Sequence, residues 1–212
     1  MQGMLEIKVF EFGSFGTNTY VVSDRSGNVL LVDPACSNGY ERQVLHRYID
    51  SLRGPEGRQT VVIAATHGHL DHLWGARWAC EQWGGAVLMH AKDHPLAEAM
   101  QRQYELFGIP MQAQPFPLAD LQQAVLPEGE VYRFEVIETP GHTPGGVCLY
   151  WKDEQVLLSG DTLFRMGYGR TDLPGGNTGQ LIESLERLFL LPPETCVYPG
   201  HGERTTIGEE RR

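Results

Sequence analysis

Apolar runs separated by glycine, proline and histidine give this chain its outline. Val61-Val62-Ile63-Ala64-Ala65 is continuous, largely β-branched and of strand length, as expected of a strand buried on both faces. Residues 29–34 and 156–161 have the same apolar type and each reaches an aspartate, Asp33 and Asp161, a weak hint of two related halves. Further strands are predicted over 5–12, 17–23, 86–90, 130–138, 147–151 and 155–160, with a short one from Cys196 to His201. Residues 24–28 read as a hairpin loop, and Lys152-Asp153-Glu154 as a hairpin turn. Helical spacing appears over 38–52, where Val44, Leu45, Tyr48, Ile49 and Leu52 share a face, and over 73–83 and 96–107. A fourth helix opens at Asn177-Thr178 and runs to Leu190, with Ile182, Leu185, Leu188 and Phe189 as its inner stripe. The order is β-rich, helical, β-rich, helical. Its physical solution is two sheets face to face with helices outside, an α/β protein.

Residues 108–129, rich in proline and glutamine, carry no clear period and read as a lid or binding loop flanking a site. Ile109, Met111 and Phe116 within it would either touch substrate or pack on the preceding helix.

The candidate chemistry lies just past the strands. His67-Gly68-His69-Leu70-Asp71-His72 follows the buried run directly, where α/β sheets place their sites. Imidazole and carboxylate are ligands of zinc and of non-haem iron. His67 and His69 are two apart, so in an extended segment they point the same way. Four potential ligands in six residues exceed what one ion takes from one loop, which suggests two ions. The rest of the chain offers His142 in a Gly/Pro turn, Asp161 after an apolar strand and His201 after Pro199-Gly200. Asp33 either supports a ligand or caps a turn. His90 and His94 fall outside these patterns and read as structural or solvated.

With 212 residues the chain is expected to form one domain over 1–212 with a full core. A formal net charge of −10 argues against a nucleic-acid partner. Glu6 and Lys8 interrupt the apolar start, and no later run is long enough to span a bilayer, so no membrane association is expected. Cys36, Cys80, Cys148 and Cys196 form no Cys-x-x-Cys pair and read as reduced and mostly buried. A cytoplasmic enzyme is the simplest inference.

The series His-x-His-x-Asp-His, Gly-His, Gly-Asp and Pro-Gly-His resembles the metallo-β-lactamase superfamily, from about Phe15 to His201. Gly160-Asp161-Thr162-Leu163-Phe164 with Gly167-Tyr168-Gly169-Arg170 resembles its glyoxalase II branch, the hydroxyacylglutathione hydrolases. The resemblance implies an αββα sandwich of two mixed β-sheets. It implies a dinuclear hydrolase of a small-molecule thioester, such as S-lactoylglutathione, acting through a metal-bridging hydroxide. It assigns His67, His69 and His142 to one divalent ion, zinc with iron or manganese as alternatives, and Asp71, His72 and His201 to the other. Asp161 would bridge, and Asp71 would also orient the hydroxide. Tyr168 and Arg170 are candidate substrate contacts, Arg170 pairing with either a substrate carboxylate or a surface acid. The chain ends eleven residues after His201, so the helical C-terminal region that carries glutathione contacts in longer members is expected to be absent, as in the short glyoxalase II-like proteins. Gly169-Arg170-Thr171-Asp172 also resembles persulfide dioxygenases, which would use one iron on His67, His142 and Asp161.

Overall fold

The computed structural model describes residues 5–211, so the outer ends of the domain expected over 1–212 lie outside the described residues. A first sheet runs β1 (Glu6–Phe12), β2 (Thr17–Ser23), β3 (Asn28–Val32), β4 (Thr60–Ala64), β5 (Val87–Met89), β6 (Leu118–Asp120), each beside the next. β1 to β3 are antiparallel, and β3 to β6 are parallel. The second sheet is built from β7 (Glu135–Glu138), β8 (Val147–Trp151), β9 (Val156–Gly160), β12 (Cys196–Pro199) and β13 (Thr205–Thr206), in the order β13-β12-β9-β8-β7. A small ribbon, β10 (Leu163–Phe164) with β11 (Gly167–Tyr168), follows β9.

Alternation along the strands divides the core into three layers. Tyr20, Val22, Leu30, Val32 and Ala64 meet Val147, Leu149, Trp151 and Leu158 between the sheets. The intervening Val21, Val29, Leu31 and Ile63 face outward and pack with residues of α1 (Gly39–Ser51), α2 (Ala76–Trp83), α3 (His94–Glu98) and α4 (Met100–Leu106). On the other side Cys148, Tyr150, Leu157 and Val197 pack against α5 (Thr178–Leu188) and α6 (Ile207–Glu210). The αββα order is thus written into the period of two. The apolar runs of β3 and β4 are continuous because both faces are covered.

Several elements differ from expectation. The helix predicted over 73–83 begins at Ala76, because residues 70–75 form successive tight turns, Leu73 N–H to Leu70 O and Ala76 N–H to Leu73 O. His72 therefore sits in a turn four residues ahead of α2. The helix predicted over 96–107 is two helices, α3 and α4, broken at Ala99 (ψ 21°). The 108–129 segment contributes β6 to the first sheet. Its Ile109 and Phe116 pack on the layer between the first sheet and its helices, away from the expected site. The strand predicted over 130–138 starts at Glu135, because Glu130–Tyr132 is a tight helical turn. The Tyr132 hydroxyl there bonds the Val29 and Thr60 carbonyls. In α5 the inner stripe is Leu181, Ser184, Leu185 and Leu188, whereas Ile182 is 51% exposed. All four cysteines are free, three of them buried.

Candidate metal centre

The ligand-type side chains gather where the two sheets meet. His67 to His72 follow β4, His142 follows β7, Asp161 follows β9 and His201 follows β12. They form three overlapping triads, His67/His69/His142, His67/His72/Asp161 and Asp71/His72/His201, whose donor atoms lie within 4.8 Å of one another in each. All seven candidate ligands are thus brought together. His90 and His94 lie outside: His94 Nε2 is 3.2 Å from the Met89 carbonyl, and His90 lies against Glu138 at 3.6 Å.

Four of the five imidazoles are oriented from behind, whereas His69 Nδ1 faces His142 Nε2 at 2.9 Å. His72 Nδ1 donates to Asp33 Oδ2 at 2.9 Å, and His142 Nδ1 donates to the Arg170 carbonyl at 2.7 Å. His201 Nδ1 lies 3.2 Å from the Phe15 carbonyl and 3.3 Å from that of Gly16. The Thr66 hydroxyl spends its proton on Asp33 Oδ2 at 2.8 Å, so at 3.0 Å it accepts from His67 Nδ1. In each ring the remaining nitrogen, Nε2, is left as the ligand atom, the arrangement that metal-ligating histidines adopt. Asp33 is therefore a supporting acid, buried and also accepting from the Thr66 N–H at 2.7 Å. Its φ of +52° turns the chain out of β3 at that point.

Asp161 reaches both halves of the cluster. Its Oδ1 is 3.3 Å from His72 Nε2, and its Oδ2 is 3.4 Å from His142 Nε2 and 3.5 Å from His201 Nε2. Asp71 Oδ2 accepts from the Thr17 hydroxyl at 2.8 Å and faces His201 Nε2 at 3.3 Å. Gly200 must be glycine, because a Cβ there would strike Asp161 Oδ1 and the His72 ring.

The electrostatics follow from burial. Burial, then the charge of His72, pushes His67 well below the usual imidazole range. Burial and His142 push His69 down to about 3. Burial acts on His72 in the same direction, but Asp71, Asp161 and Asp33 outweigh it and hold this ring well above its ordinary value. For Asp71, burial opposes ionisation, yet His72 and His201 bring the carboxyl down to about 2.

The donors fit a cation. His67 Nε2, His72 Nε2 and Asp161 Oδ1 are buried without a hydrogen-bond partner. Orphans of this kind cost roughly 1–3 kcal/mol each unless something binds them. Mixed imidazole and carboxylate donors suit zinc, iron or manganese. Three triads sharing His67 and His72, with Asp161 reaching across, fit a dinuclear site.

Beside the cluster lies a cavity of about 120 Å³ with Phe15, Leu70, Phe107 and Leu173 on its apolar side and Arg170 at its edge. Arg170 is paired with Asp172 at 2.7 Å on an exposed loop. Tyr168 is 63% exposed and does not line the cavity. Met111 and Phe116 line a separate cavity of about 240 Å³ beside Trp74, Trp78 and Tyr104. Sequence reasoning missed Gln103, whose side chain accepts from the Leu70 N–H and donates to the Gly68 carbonyl, and Asp93, which also holds the His67–His72 loop. Neither carries a local signal, since Asp93 and Gly68 are 25 residues apart.

An αββα sandwich with a metal-type His/Asp cluster at the meeting of its sheets defines a class of metal-dependent enzymes, generally hydrolases. The chain belongs to the metallo-beta-lactamase superfamily, whose family model matches residues 13–201. It is 32% identical to hydroxyacylglutathione hydrolase GloC of Haemophilus influenzae, over 98% of this chain and 96% of that protein. TTHA1623, solved in a di-iron-bound form, superposes with a TM-score of 0.80 at 32% identity, covering 97% of both chains. The B3 metallo-beta-lactamase BLEG-1 also gives 0.80, at 29% identity over 97% of this chain and 96% of its own. ETHE1 from Myxococcus xanthus gives 0.70 at 27% identity, over 98% and 82%.

Proposed function

We propose that this chain is a dinuclear metal-dependent thioester hydrolase of the glyoxalase II type, cleaving S-lactoylglutathione or a related hydroxyacyl thioester. The observation that carries this reading is the set of Nε2 atoms on His67, His72, His142 and His201, turned inward by outer bonds and completed by Asp71 and Asp161. Its likeness to GloC supports the substrate class, and the di-iron neighbour supports two ions. His67, His69 and His142 would hold one ion, and Asp71, His72 and His201 the other, with Asp161 between them. When bound, the ions supply Lewis acidity, lowering the pKa of water from about 15.7 to near 7 and polarising the substrate carbonyl. Asp71, fixed by Thr17, faces the cavity and would orient the attacking water as proton acceptor. The apolar side of the cavity would receive the acyl group and limit the water reaching it. Arg170 would exchange Asp172 for a substrate carboxylate, and exposed Tyr168 would meet only a substrate extending past the cavity. No serine or cysteine lines the cavity, so the water is the nucleophile in this reading.

A second reading, a persulfide dioxygenase with one iron on His67, His142 and Asp161, is favoured by the ETHE1 likeness and by Gly169-Arg170-Thr171-Asp172. It leaves the Asp71/His72/His201 triad without a use. Assaying S-lactoylglutathione hydrolysis and persulfide-dependent oxygen uptake on one sample separates the two. Thioester cleavage without oxygen uptake is expected, and oxygen uptake alone would sink the hydrolase.

A further inference from the structure

Asp93 belongs to none of the ligand triads, yet it is fully buried. It follows β5 and directly precedes α3, where an aspartate commonly caps the helix. It does not do so here: its side chain makes no capping bond. Its carboxylate is directed at two other loops instead. Oδ2 accepts from the Gly68 N–H at 2.9 Å and from the Thr143 hydroxyl at 2.7 Å, and Oδ1 accepts from the Gly145 N–H at 2.6 Å. Gly68 lies between His67 and His69, whereas Thr143 and Gly145 adjoin His142.

The loops approach this carboxylate without slack. A Cβ on Gly145 would lie 2.8 Å from Asp93 Oδ1, and one on Gly68 would lie 2.9 Å from the Asp93 carbonyl. This buried group thus links the segment bearing His67 and His69 to the segment bearing His142, beside the Val147 N–H to Thr66 carbonyl bond at 2.9 Å that joins their strand ends. The triad His67/His69/His142 is built from both segments, whereas Asp71/His72/His201 uses nothing from the His142 loop.

We propose that Asp93 is a positioning residue for one of the two ions: it clamps the two loops that together form the His67/His69/His142 triad. This rests on the dinuclear reading of the site. It makes the loss of Asp93 unequal in its effect, weakening one ion and sparing the other. Asparagine has nearly the same shape but only one acceptor oxygen, and its amide hydrogens would face an N–H or O–H donor.

The test is zinc binding to the full chain, by metal analysis and chelator competition. The wild type is expected to hold two ions. Asp93→Asn should lose about 10- to 100-fold in affinity for one ion, the range for removing an outer partner of a metal ligand, and keep the other. Thr143→Val should show a smaller loss in the same ion, and Thr143→Ser should restore it. A purely structural role would instead lower the melting temperatures of zinc-free and zinc-loaded protein equally and leave affinity unmoved. Two ions at wild-type affinity in both Asp93→Asn and Thr143→Val would overturn the clamp. If Asp93→Asn fails to fold, the Thr143 pair decides alone. A wild type that binds none of zinc, iron and manganese would instead bring down the dinuclear reading, and the clamp with it.

Discussion

His72 stands between two aspartates, with Asp33 Oδ2 behind Nδ1 at 2.9 Å and Asp161 Oδ1 before Nε2 at 3.3 Å. The two acids follow β3 and β9, strands of the same apolar type, but they do different work. Asp33 orients the ring and anchors Thr66, while Asp161 faces the inner nitrogens on both sides. Asp33→Asn keeps the shape and loses an acceptor for three converging donors, the Thr66 N–H, the Thr66 hydroxyl and His72 Nδ1. We expect metal affinity to fall about 10- to 100-fold, measured by chelator competition; unchanged affinity would show that His72 holds its orientation without Asp33. The cluster of candidate ligands was legible in the sequence because their types are distinctive and each follows a recognisable strand. The groups that hold them were not. Asp93 and Gly145 lie 52 residues apart, and Gln103 and Leu70 lie 33 apart, with nothing local to mark the pairing.

At the scale of elements, local chemistry fixes the ends of helices more clearly than their faces. Asn38 and Asn177 each cap a helix, accepting from the Glu41 and Gln180 N–H groups at 3.0 Å. Asn177→Ala should cost about 1 kcal/mol of stability, as for other N-cap losses, read from urea unfolding; a loss below about 0.3 kcal/mol would mean that packing alone sets the start of α5. The inner face of α5 departs from the apolar stripe because Ser184 sits in it, its hydroxyl donating to the Pro140 carbonyl at 2.8 Å. A polar residue with a buried partner looks from sequence like a surface position. The break between α3 and α4 at Ala99 has no glycine or proline to announce it. β6 is only three residues long at the edge of its sheet, inside a proline-rich stretch, and leaves no alternation to detect.

The whole molecule is a balance of buried layers, and its titration behaviour follows from that. Burial pushes the Cys36 thiol up to about 12 and the Cys148 thiol up to about 11, against an ordinary 9.0. The Tyr132 hydroxyl is pushed up to about 12 from 10.0, again by burial. In the unfolded chain these groups ionise first, so the folded state binds more protons in the interval between. Their contribution is fully present below about pH 9 and is lost as pH rises from 9 towards 12. The melting temperature should therefore fall steadily above pH 9, and a flat profile to pH 11 would contradict the assigned burial. The face-to-face sheets were legible because the continuous runs of β3 and β4 demand cover on both sides. The meeting of their loops at one metal centre needed the three-dimensional register, including the Asn18 N–H to Gly200 carbonyl bond at 2.7 Å that ties the sheets together beside His201.

In the proposed dinuclear site, seven side chains from four loops hold two ions. The most direct test is metal content per chain on protein purified without chelator, together with the metal positions from anomalous scattering. Two ions are expected, about 3.5–4 Å apart as in other two-metal sites, one against His67, His69 and His142 and one against Asp71, His72 and His201, with Asp161 touching both. A single ion on His67, His142 and Asp161 at saturating metal, with the Asp71/His72/His201 triad bare, would contradict it.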